Sequence, residues 1–333
     1  MRAPETPETA AAERAPRVAT IVAEELRRPV PPEVLTLAAA IRRRHGAAVA
    51  AILFYGSCLR AQTVEGGVLD FYVLVDTYRA AYASWVLRRM NALLPPNVFY
   101  LEVQDGQKTL RAKYAVISTR DFARAATPRE LHAIVWARFC QPTGLVYVRD
   151  EQARGLVVRA LAESVMTMVT RMVALVAGSG TTARFRPEDL WQRGFRETYR
   201  AEWRAERPET IRQLYQAASE RYDRVTREAL SELERRGVVR VGTDGAALEV
   251  TMTARDRRRL GRGWRIRRPL AKALYAVRLL KSAATFTDWL PYVLWKLERH
   301  TGLRVVPSER QRRHPFLLGG PLILRLLLKR AFR

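Results

Sequence analysis

The sequence predicts an α+β protein: a domain with a small mixed sheet, then a mainly helical domain, then a basic amphipathic C-terminal region. Two observations lead to this order. Short apolar runs bounded by turn residues occupy residues 48–118, whereas helical apolar periodicity dominates from residue 127 onward. The chain has 333 residues, more than one compact domain usually needs. We therefore divide it into an arm (residues 1–30), the α+β domain (31–150), the helical domain (151–236) and the C-terminal region (237–333).

The elements of the α+β domain are predicted from its apolar pattern. The arm before it is expected to be loose, with a short helix near residues 18–27 that ends at a proline-rich segment. A continuous apolar run at residues 48–55 predicts a buried strand ending in a Gly-Ser turn. The other elements are apolar stretches bounded by turn residues: helices over 33–45 and 82–94, and strands over 68–75, 98–103 and 112–118.

Helical periodicity replaces this pattern after residue 127. Thr127 followed by Pro128 has the form of a helix start, with threonine as the cap and proline at the first helical position. A turn at residues 243–245 predicts a small hairpin over residues 238–251. Helices are predicted over residues 128–139, 151–176, 187–203, 209–236, 271–280 and 290–299.

Charge is the outstanding feature of the composition. Lysine and arginine total 58 against 33 acidic residues, a net charge of +25. This excess favours an anionic partner, either nucleic acid or an acidic lipid surface; the alternative is an arginine-rich composition on solvated helix faces. The apolar stretches are too short, or too often interrupted by charge, to cross a bilayer, so we expect a soluble or peripheral protein. The two cysteines have neither disulfide nor zinc spacing.

The residues that suggest chemistry lie where the first two predicted strands adjoin. The first strand ends in Tyr55-Gly56-Ser57, and the second presents Asp70. A glycine turn lets backbone amides and the Ser57 hydroxyl approach triphosphate oxygens closely. A carboxylate on the next strand can hold Mg2+, which takes few protein oxygens and completes its shell with substrate phosphates. A mid-strand aspartate that was buried without a partner would be costly, which favours metal binding by Asp70.

Gly-Ser followed by a carboxylate on the next strand resembles the pattern of the polymerase-β-like nucleotidyltransferase superfamily. That superfamily usually has a second carboxylate two residues after the first. Residues two apart on a strand point to the same side, and here that position is Tyr72. The missing carboxylate by itself favours an inactive relative.

A longer resemblance favours an enzyme. The chain resembles the mitochondrial-type CTP:phosphatidate cytidylyltransferases, the translocator assembly and maintenance family. Its Y-G-S-G loop, I-D-L-I-x-x-V strand and K-Y-G-V-V-S strand are similar to YGSC at residues 55–58, LDFYVLV at 69–75 and KYAVIS at 113–118. Its G-R-L-x-K-P, S-Y-x-G-D-x-R and E-N-P-D segments are similar to ARFCQP at 137–142, TYRAEWR at 198–204 and ERPE at 206–209. The series spans roughly residues 45–230 and departs from the family at Cys58, Gln141 and Glu202.

The resemblance implies a polymerase-β-like nucleotidyltransferase domain and a helical domain that closes the active site. The reaction would join CTP to phosphatidate and release CDP-diacylglycerol and pyrophosphate, with Mg2+ as cofactor. Asp70 and Lys113 would be catalytic, and Asp70 and Glu202 would bind the metal. The nucleotide and its phosphates would be bound by Tyr55, Gly56, Ser57, Arg138, Tyr199 and Arg204.

Several of these assignments have a structural alternative. Lys113 could be a solvated edge lysine, and Arg138 could lie on a solvated face. Glu202 and Arg204 could be two surface charges. Tyr199 could pack in a core instead of stacking on a base. Glu102 lies on the third strand, where the superfamily often has its third carboxylate, and could complete the metal site or simply be exposed.

The C-terminal region has the composition of a membrane-interface segment. Residues 255–268 are densely basic and contain a tryptophan, and an apolar stretch at 316–328 is followed by two basic residues. Tryptophan, arginine and leucine together suit the bilayer interface. RNA binding is the alternative, although the leucine-rich tail has few aromatic rings for stacking; a helical region that packs on itself is another. We assign membrane contact to Trp264, Arg265, Arg267, Arg268, Lys329 and Arg330.

The main hypothesis is thus a Mg2+-dependent cytidylyltransferase with CTP and an anionic phospholipid, phosphatidate, as partners. We expect it in the cytoplasm, peripheral on the inner face of the plasma membrane, with membrane favoured over nucleic acid. A second hypothesis keeps the nucleotidyltransferase but changes the acceptor to another lipid, RNA or a small molecule. A third is a catalytically silent, membrane-associated binding module with the same fold.

Overall fold

The computed structural model describes residues 17–64, 67–130, 132–177, 180–202, 207–244 and 247–285. It begins with helices α1 (Arg17–Glu25) and α2 (Pro32–His45) and a 3-10 turn (Gly46–Ala48). The sheet region then contains β1 (Val49–Tyr55), α3 (Ser57–Ala61), β2 (Leu69–Val75), α4 (Tyr78–Ala81), α5 (Trp85–Leu93), β3 (Asn97–Asp105) and β4 (Lys108–Ser118). Helices α6 (Thr119–Ala126) and α7 (Trp136–Phe139) lead to β5 (Gly144–Val148).

The second half of the described chain is mainly helical. Its elements, in order, are α8 (Glu151–Val176), β6 (Thr182–Phe185), α9 (Pro187–Ala201), α10 (Pro208–Gln216), α11 (Ser219–Arg235), β7 (Arg240–Asp244), β8 (Ala247–Thr251) and α12 (Ala254–Thr285). Among these and the other described helices, none is both long and apolar enough to span a bilayer.

The main sheet has five strands in the order β3-β4-β2-β1-β5. The pair β2–β4 is parallel and the other pairs are antiparallel, so the predicted small mixed sheet is confirmed. All four predicted strands are present. The fifth strand, β5, was missed because it is a short edge strand whose identity depends on its pairing with the distant strand β1.

Both faces of this sheet are covered, which explains the unbroken apolar runs of β1 and β2. Phe54 and Phe71 lie on the face that packs against α2. Leu53 and Tyr72 lie on the opposite face, in the core that includes α8. Because side chains alternate along a strand, Asp70 shares its face with Tyr72 and points toward the helical side of the sheet.

The long helix α8 begins and ends where the sequence predicts, at residues 151 and 176. The predicted helix over residues 128–139 is wrong: a helix, α6, ends just before Thr127, and only the short α7 forms later. The Thr127 hydroxyl donates a hydrogen bond to the Arg124 carbonyl at 2.8 Å, so this residue closes one helix instead of opening another. The predicted helix over 209–236 is two helices, α10 and α11, separated at Ala217 and Ala218.

The N-terminal arm is not loose where it is described. The predicted short helix is present as α1, and Val18 and Val22 are buried in the core shared with α8 and α11. Glu25 forms a largely buried ion pair with Arg221 of α11, with Oε2 3.1 Å from Nη2. Residues 1–16 of the arm lie outside the described part of the chain.

The predicted hairpin is present as β7 and β8. Strand β8 also pairs with β6, giving a second sheet in the order β6-β8-β7. This hairpin therefore packs with the helical part and does not begin a separate C-terminal region. Helix α12 contains the predicted helix over residues 271–280 and packs against α8 and β3. The predicted helix at residues 290–299 lies outside the described residues.

Candidate active site

The predicted site residues of the sheet lie in one row across three strands. Tyr55 of β1 is paired with Asp70 of β2, and Asp70 is paired with Lys113 of β4. Residues directly opposite on neighbouring strands have side chains on the same face, with Cβ atoms about 5 Å apart. The Asp70 carboxylate is half-buried, whereas Lys113 is exposed. The register therefore brings a carboxylate and an ammonium group together at the edge of a buried face.

Gly56 begins the turn that leaves this row. Its φ of +94° is a conformation that residues with a side chain rarely adopt. A Cβ atom at this position would lie 2.8 Å from Oδ2 of Asp70, well inside van der Waals contact. Two constraints, one of backbone conformation and one of space, thus require glycine here. Ser57 follows as the first residue of α3 and is exposed.

Tyr72 occupies the position of the second carboxylate of the superfamily pattern. Its side chain is 2% exposed and packs edge-on against Phe139, with ring centroids 4.9 Å apart. Burial raises the pKa of its hydroxyl. Tyr55 packs on the same cluster, 5.5 Å from the Tyr72 ring. Position 72 is therefore part of the aromatic core between the sheet and α7, where a carboxylate would be desolvated.

Arg138 and Glu202 are brought together across 64 residues of sequence. Two guanidinium nitrogens of Arg138 donate to the two carboxylate oxygens of Glu202, each at 2.8 Å. Both side chains are mostly buried, with 18% and 8% exposed. The sequence assigned phosphate binding to Arg138 and metal binding to Glu202, or placed them on solvated surfaces. In the structure, each side chain instead has the other as its partner, because a charge buried at this depth needs a counter-charge.

Glu102 does not adjoin Asp70. It accepts hydrogen bonds from Tyr100 (2.7 Å) on the edge strand β3 and from Arg111 (3.1 Å) on the adjoining strand β4. It lies two strands and two positions away from Asp70, a separation of about 12 Å from strand geometry. The proposed three-carboxylate set of Asp70, Glu102 and Glu202 is not assembled: within the described ranges no group of three His, Cys, Asp or Glu could hold a metal.

The remaining predicted residues are in the core or undescribed. Tyr199 is 9% exposed and stacks on Phe195 with centroids 6.5 Å apart, which matches the core-packing alternative. Arg204, Lys329 and Arg330 lie outside the described residues. The backbone of residues 264–268 is helical in α12, but the side chains of Trp264, Arg265, Arg267 and Arg268 are likewise outside the description.

A cleft of about 470 Å3 lies between the sheet and the helical part and is lined by residues that follow Ser57 in sequence; Gly56, Ser57, Asp70 and Lys113 do not line it. One wall comes from α3 and the turn after it, another from the proline-rich segment after α1, and a third from α10 and α11. Residues from each wall include Cys58, Leu59, Arg60, Arg28, Pro29, Val30, Pro31, Leu214 and Tyr222. Its size and its mainly apolar walls, with a few converging polar groups, are typical of a small-molecule site.

The polar groups of this cleft were not predicted from the sequence. Arg60 donates to Gln141 at 3.4 Å, and Arg28 lies just after α1. Glu25 in the wall is neutralised by Arg221, so the two arginines leave the cleft with an excess of positive charge. The Tyr222 hydroxyl is buried without a hydrogen-bond partner among the described residues. The position of Arg60, three residues after Ser57, is the sequence feature that could have indicated a basic group near the Gly-Ser turn.

No protein-family model and no curated protein matches the sequence. Among solved structures, the chain is similar to a nucleotidyltransferase-like protein from Exiguobacterium sibiricum 255-15, with 10% sequence identity and a TM-score of 0.26. That match covers 67% of this chain and 100% of the other. A TM-score this low carries no argument about fold or function.

Proposed function

We propose that this chain is a nucleotidyltransferase whose active site lies where β1 ends beside β2. The observation that carries the proposal is the contact between Gly56 and Asp70, in which the carboxylate fills the space left by the absent side chain. The backbone of a glycine turn can receive phosphate oxygens, and a carboxylate beside it can receive the metal that accompanies them.

The residues at this position fit Mg2+. Mg2+ is usually held by one or two carboxylates together with waters and substrate phosphates, so a single well-placed aspartate suffices. Asp70 would hold it. When bound, the metal would stabilise the negative charge that develops on the transferred phosphate. Lys113, next to Asp70 in the sheet, would contact a phosphate oxygen of the same nucleotide.

The cleft after Ser57 is the proposed nucleotide site. It begins at Cys58, and its excess positive charge from Arg28 and Arg60 suits an anionic ligand. The family that the chain resembles has a lysine where this chain has Gln141. The guanidinium of Arg60 lies 3.4 Å from the Gln141 side chain, so a cation is still present beside that position.

The nucleotide and acceptor are proposed from the sequence resemblance. CTP would donate CMP, and phosphatidate would be the acceptor, giving CDP-diacylglycerol and pyrophosphate. The net charge of +25 supports an acceptor that resides in an anionic membrane, such as the inner face of the plasma membrane. Attack by the phosphate oxygen of phosphatidate on the α-phosphorus of CTP would form the new P–O–P bond as pyrophosphate leaves.

The test is pyrophosphate release from each of the four NTPs with Mg2+, with and without phosphatidate vesicles. We expect release only with CTP and phosphatidate together, and a fall of about 100-fold or more in kcat for Asp70→Asn. Asp76→Asn is the matched control. Asp76 lies at the other end of β2, about 20 Å away by strand rise, and pairs with Arg149 at 2.5 Å. Equal rates for Asp70→Asn and the unmodified protein would rule out this active site.

Two observations favour a second candidate, a catalytically silent binding module with this fold. Tyr72 belongs to the aromatic core, and Glu202 is already bound by Arg138. Calorimetric titration of Mg2+–CTP separates the two cases. Binding without turnover on any acceptor supports the module, and turnover on RNA or another lipid supports a nucleotidyltransferase with a different acceptor.

A further inference from the structure

Helix α5 exposes large apolar side chains on the outside of the sheet. Trp85 is 71% exposed, Leu93 is 82% exposed and Val86 is 43% exposed. Scattered exposed leucines are normal, but a mostly exposed tryptophan and a leucine on one nine-residue helix are not explained by packing. Most exposed large apolar side chains in the described chain lie on α5 or α12.

Helix α12 adds a second exposed apolar stripe beside α5. Leu270 and Val277 are 46% and 53% exposed, and their spacing of seven residues puts them on one face of the helix. Helix α12 is anchored where α5 ends: Arg278 donates to the Pro95 carbonyl at 3.1 Å, and Lys281 donates to the Pro96 carbonyl at 2.7 Å.

The two helices adjoin at a shared cavity. Leu93 of α5 and Leu274 of α12 line the same small cavity of about 170 Å3. The exposed side chains are thus on two helices that adjoin at Leu93, and we name the region the α5–α12 surface and define it by Trp85, Val86, Leu93, Leu270 and Val277.

Charge indicates what covers the α5–α12 surface. Residues 77–96, which contain α5, include three arginines and no acidic residue, and Arg79 and Arg89 among them are exposed. Helix α12 has eleven basic residues and one acidic residue. A tryptophan and leucines exposed on two helices with this excess of basic residues match a bilayer interface with anionic headgroups.

The other possible occupants are basic themselves. A second copy of the chain would bring a net charge of +25. Residues 286–333, which follow α12, contain ten basic and three acidic residues. Either would place like charges against the arginines around this surface, which costs free energy.

We propose that the α5–α12 surface docks on an anionic bilayer, with Trp85 and Leu93 entering the headgroup region. This goes beyond the proposed function, because the surface lies away from the Gly56–Asp70 site: α5 leads into Asn97, which pairs with Val116, three positions along β4 from the Lys113 that pairs with Asp70. Its evidence is independent of that function, since it comes from the exposure and charge of residues outside the Gly56–Asp70 site.

The test uses the full-length protein without nucleotide. Sedimentation with phosphatidylglycerol-containing vesicles and with pure phosphatidylcholine vesicles measures binding. We expect binding to the anionic vesicles, and a loss of about tenfold or more in affinity for the double variant Trp85→Ser/Leu93→Ser. Leu35→Ser is the matched control, because Leu35 is 48% exposed but lies on α2; it should bind as the unmodified protein does.

Tryptophan fluorescence gives a second readout. A blue shift on adding anionic vesicles should be reduced in Trp85→Phe, because this ring would move from water to the interface. Unchanged affinity of the double variant, equal loss in Leu35→Ser, or absence of vesicle binding would overturn the proposal. So would a dimer that the double variant converts to a monomer, since the occupant would then be a second copy. Failure of nucleotidyl transfer would leave all these measurements unaffected.

Discussion

The carboxylate of Asp70 occupies the space beside Gly56, so closely that a methyl group on residue 56 would lie 2.8 Å from Oδ2. Gly56 directly follows β1 and Asp70 lies on the neighbouring strand β2, and the pairing of Tyr55 with Asp70 fixes their relative position. The glycine turn and the acidic group are thereby held as one unit. A side chain at residue 56 would displace the Asp70 carboxylate, which the proposed chemistry requires.

Gly56→Ala should abolish most activity. The new Cβ would push Asp70 aside, and a misplacement of about 1 Å can cost about 100-fold in rate. Gly106→Ala is the matched control, since Gly106 also has a positive φ, of 59°, but no other atom lies within 4 Å of the position that its Cβ would take. It should lose about 1 kcal/mol of stability and retain its activity. Steady-state kinetics give kcat/KM and urea unfolding gives the stability of both variants. Equal activities of Gly56→Ala and Gly106→Ala would contradict the prediction.

Lys113→Gln should weaken turnover with nucleotide. Lys113 is paired with Asp70 across β2 and β4, where its charge would stabilise a phosphate oxygen. Removing one such contact typically lowers kcat by about 100-fold. Lys108→Gln, at the exposed hairpin end of the same strand, should leave the rate unchanged. A similar loss in both variants would indicate a general effect of surface charge.

Glu202→Gln should destabilise the fold. It would leave the Arg138 guanidinium buried without its counter-charge, a change that costs about 3 kcal/mol or more in the free energy of unfolding. The double variant Arg138→Met/Glu202→Met should recover part of this loss, because neither charge remains. The exposed pair Asp76–Arg149 provides the comparison, and Arg149→Gln should cost about 1 kcal/mol or less. Urea denaturation measures the unfolding free energy of all three variants, and equal losses in Glu202→Gln and Arg149→Gln would contradict the prediction.

Acid should destabilise the protein through His132. Burial, and after it the positive charges of Arg278, Arg124 and Arg138, lower the pKa of this imidazole from its ordinary value of 6.5 to about 3. The Arg278 guanidinium lies 2.6 Å from Nε2, which therefore accepts a hydrogen bond and carries no proton, while Glu130 lies 3.2 Å from the same nitrogen.

The folded pKa of His132 is below the unfolded one, so its contribution to stability is fully present above pH 6.5. It is lost as the pH falls from 6.5 toward 3, by about 1.4 kcal/mol per pH unit at most. In His132→Gln the unfolding free energy should depend less on pH over this window. Parallel urea titrations at pH 7 and pH 5 test this, and an identical pH dependence in both proteins would refute it.

Local patterns were enough for much of the fold. The 26 residues of α8 were predicted at both ends because their apolar periodicity is long and is bounded by a capping aspartate, Asp150. The predicted strands were all found, since buried strands have continuous apolar runs. The predicted helix after Thr127 was wrong because a threonine followed by a proline can end a helix as well as begin one. The local sequence does not distinguish the two cases.

The order of most elements, and a Gly56-Ser57 turn followed by a strand that contains Asp70, could be predicted from local sequence. These are short-range properties, set by the spacing of residues a few positions apart. The pairing of Asp70 with Lys113, the ion pair of Arg138 with Glu202 and the exposure of the α5–α12 surface became evident only from the folded chain. The reason is that strand register, burial and ion pairing depend on which distant segments exclude water from one another.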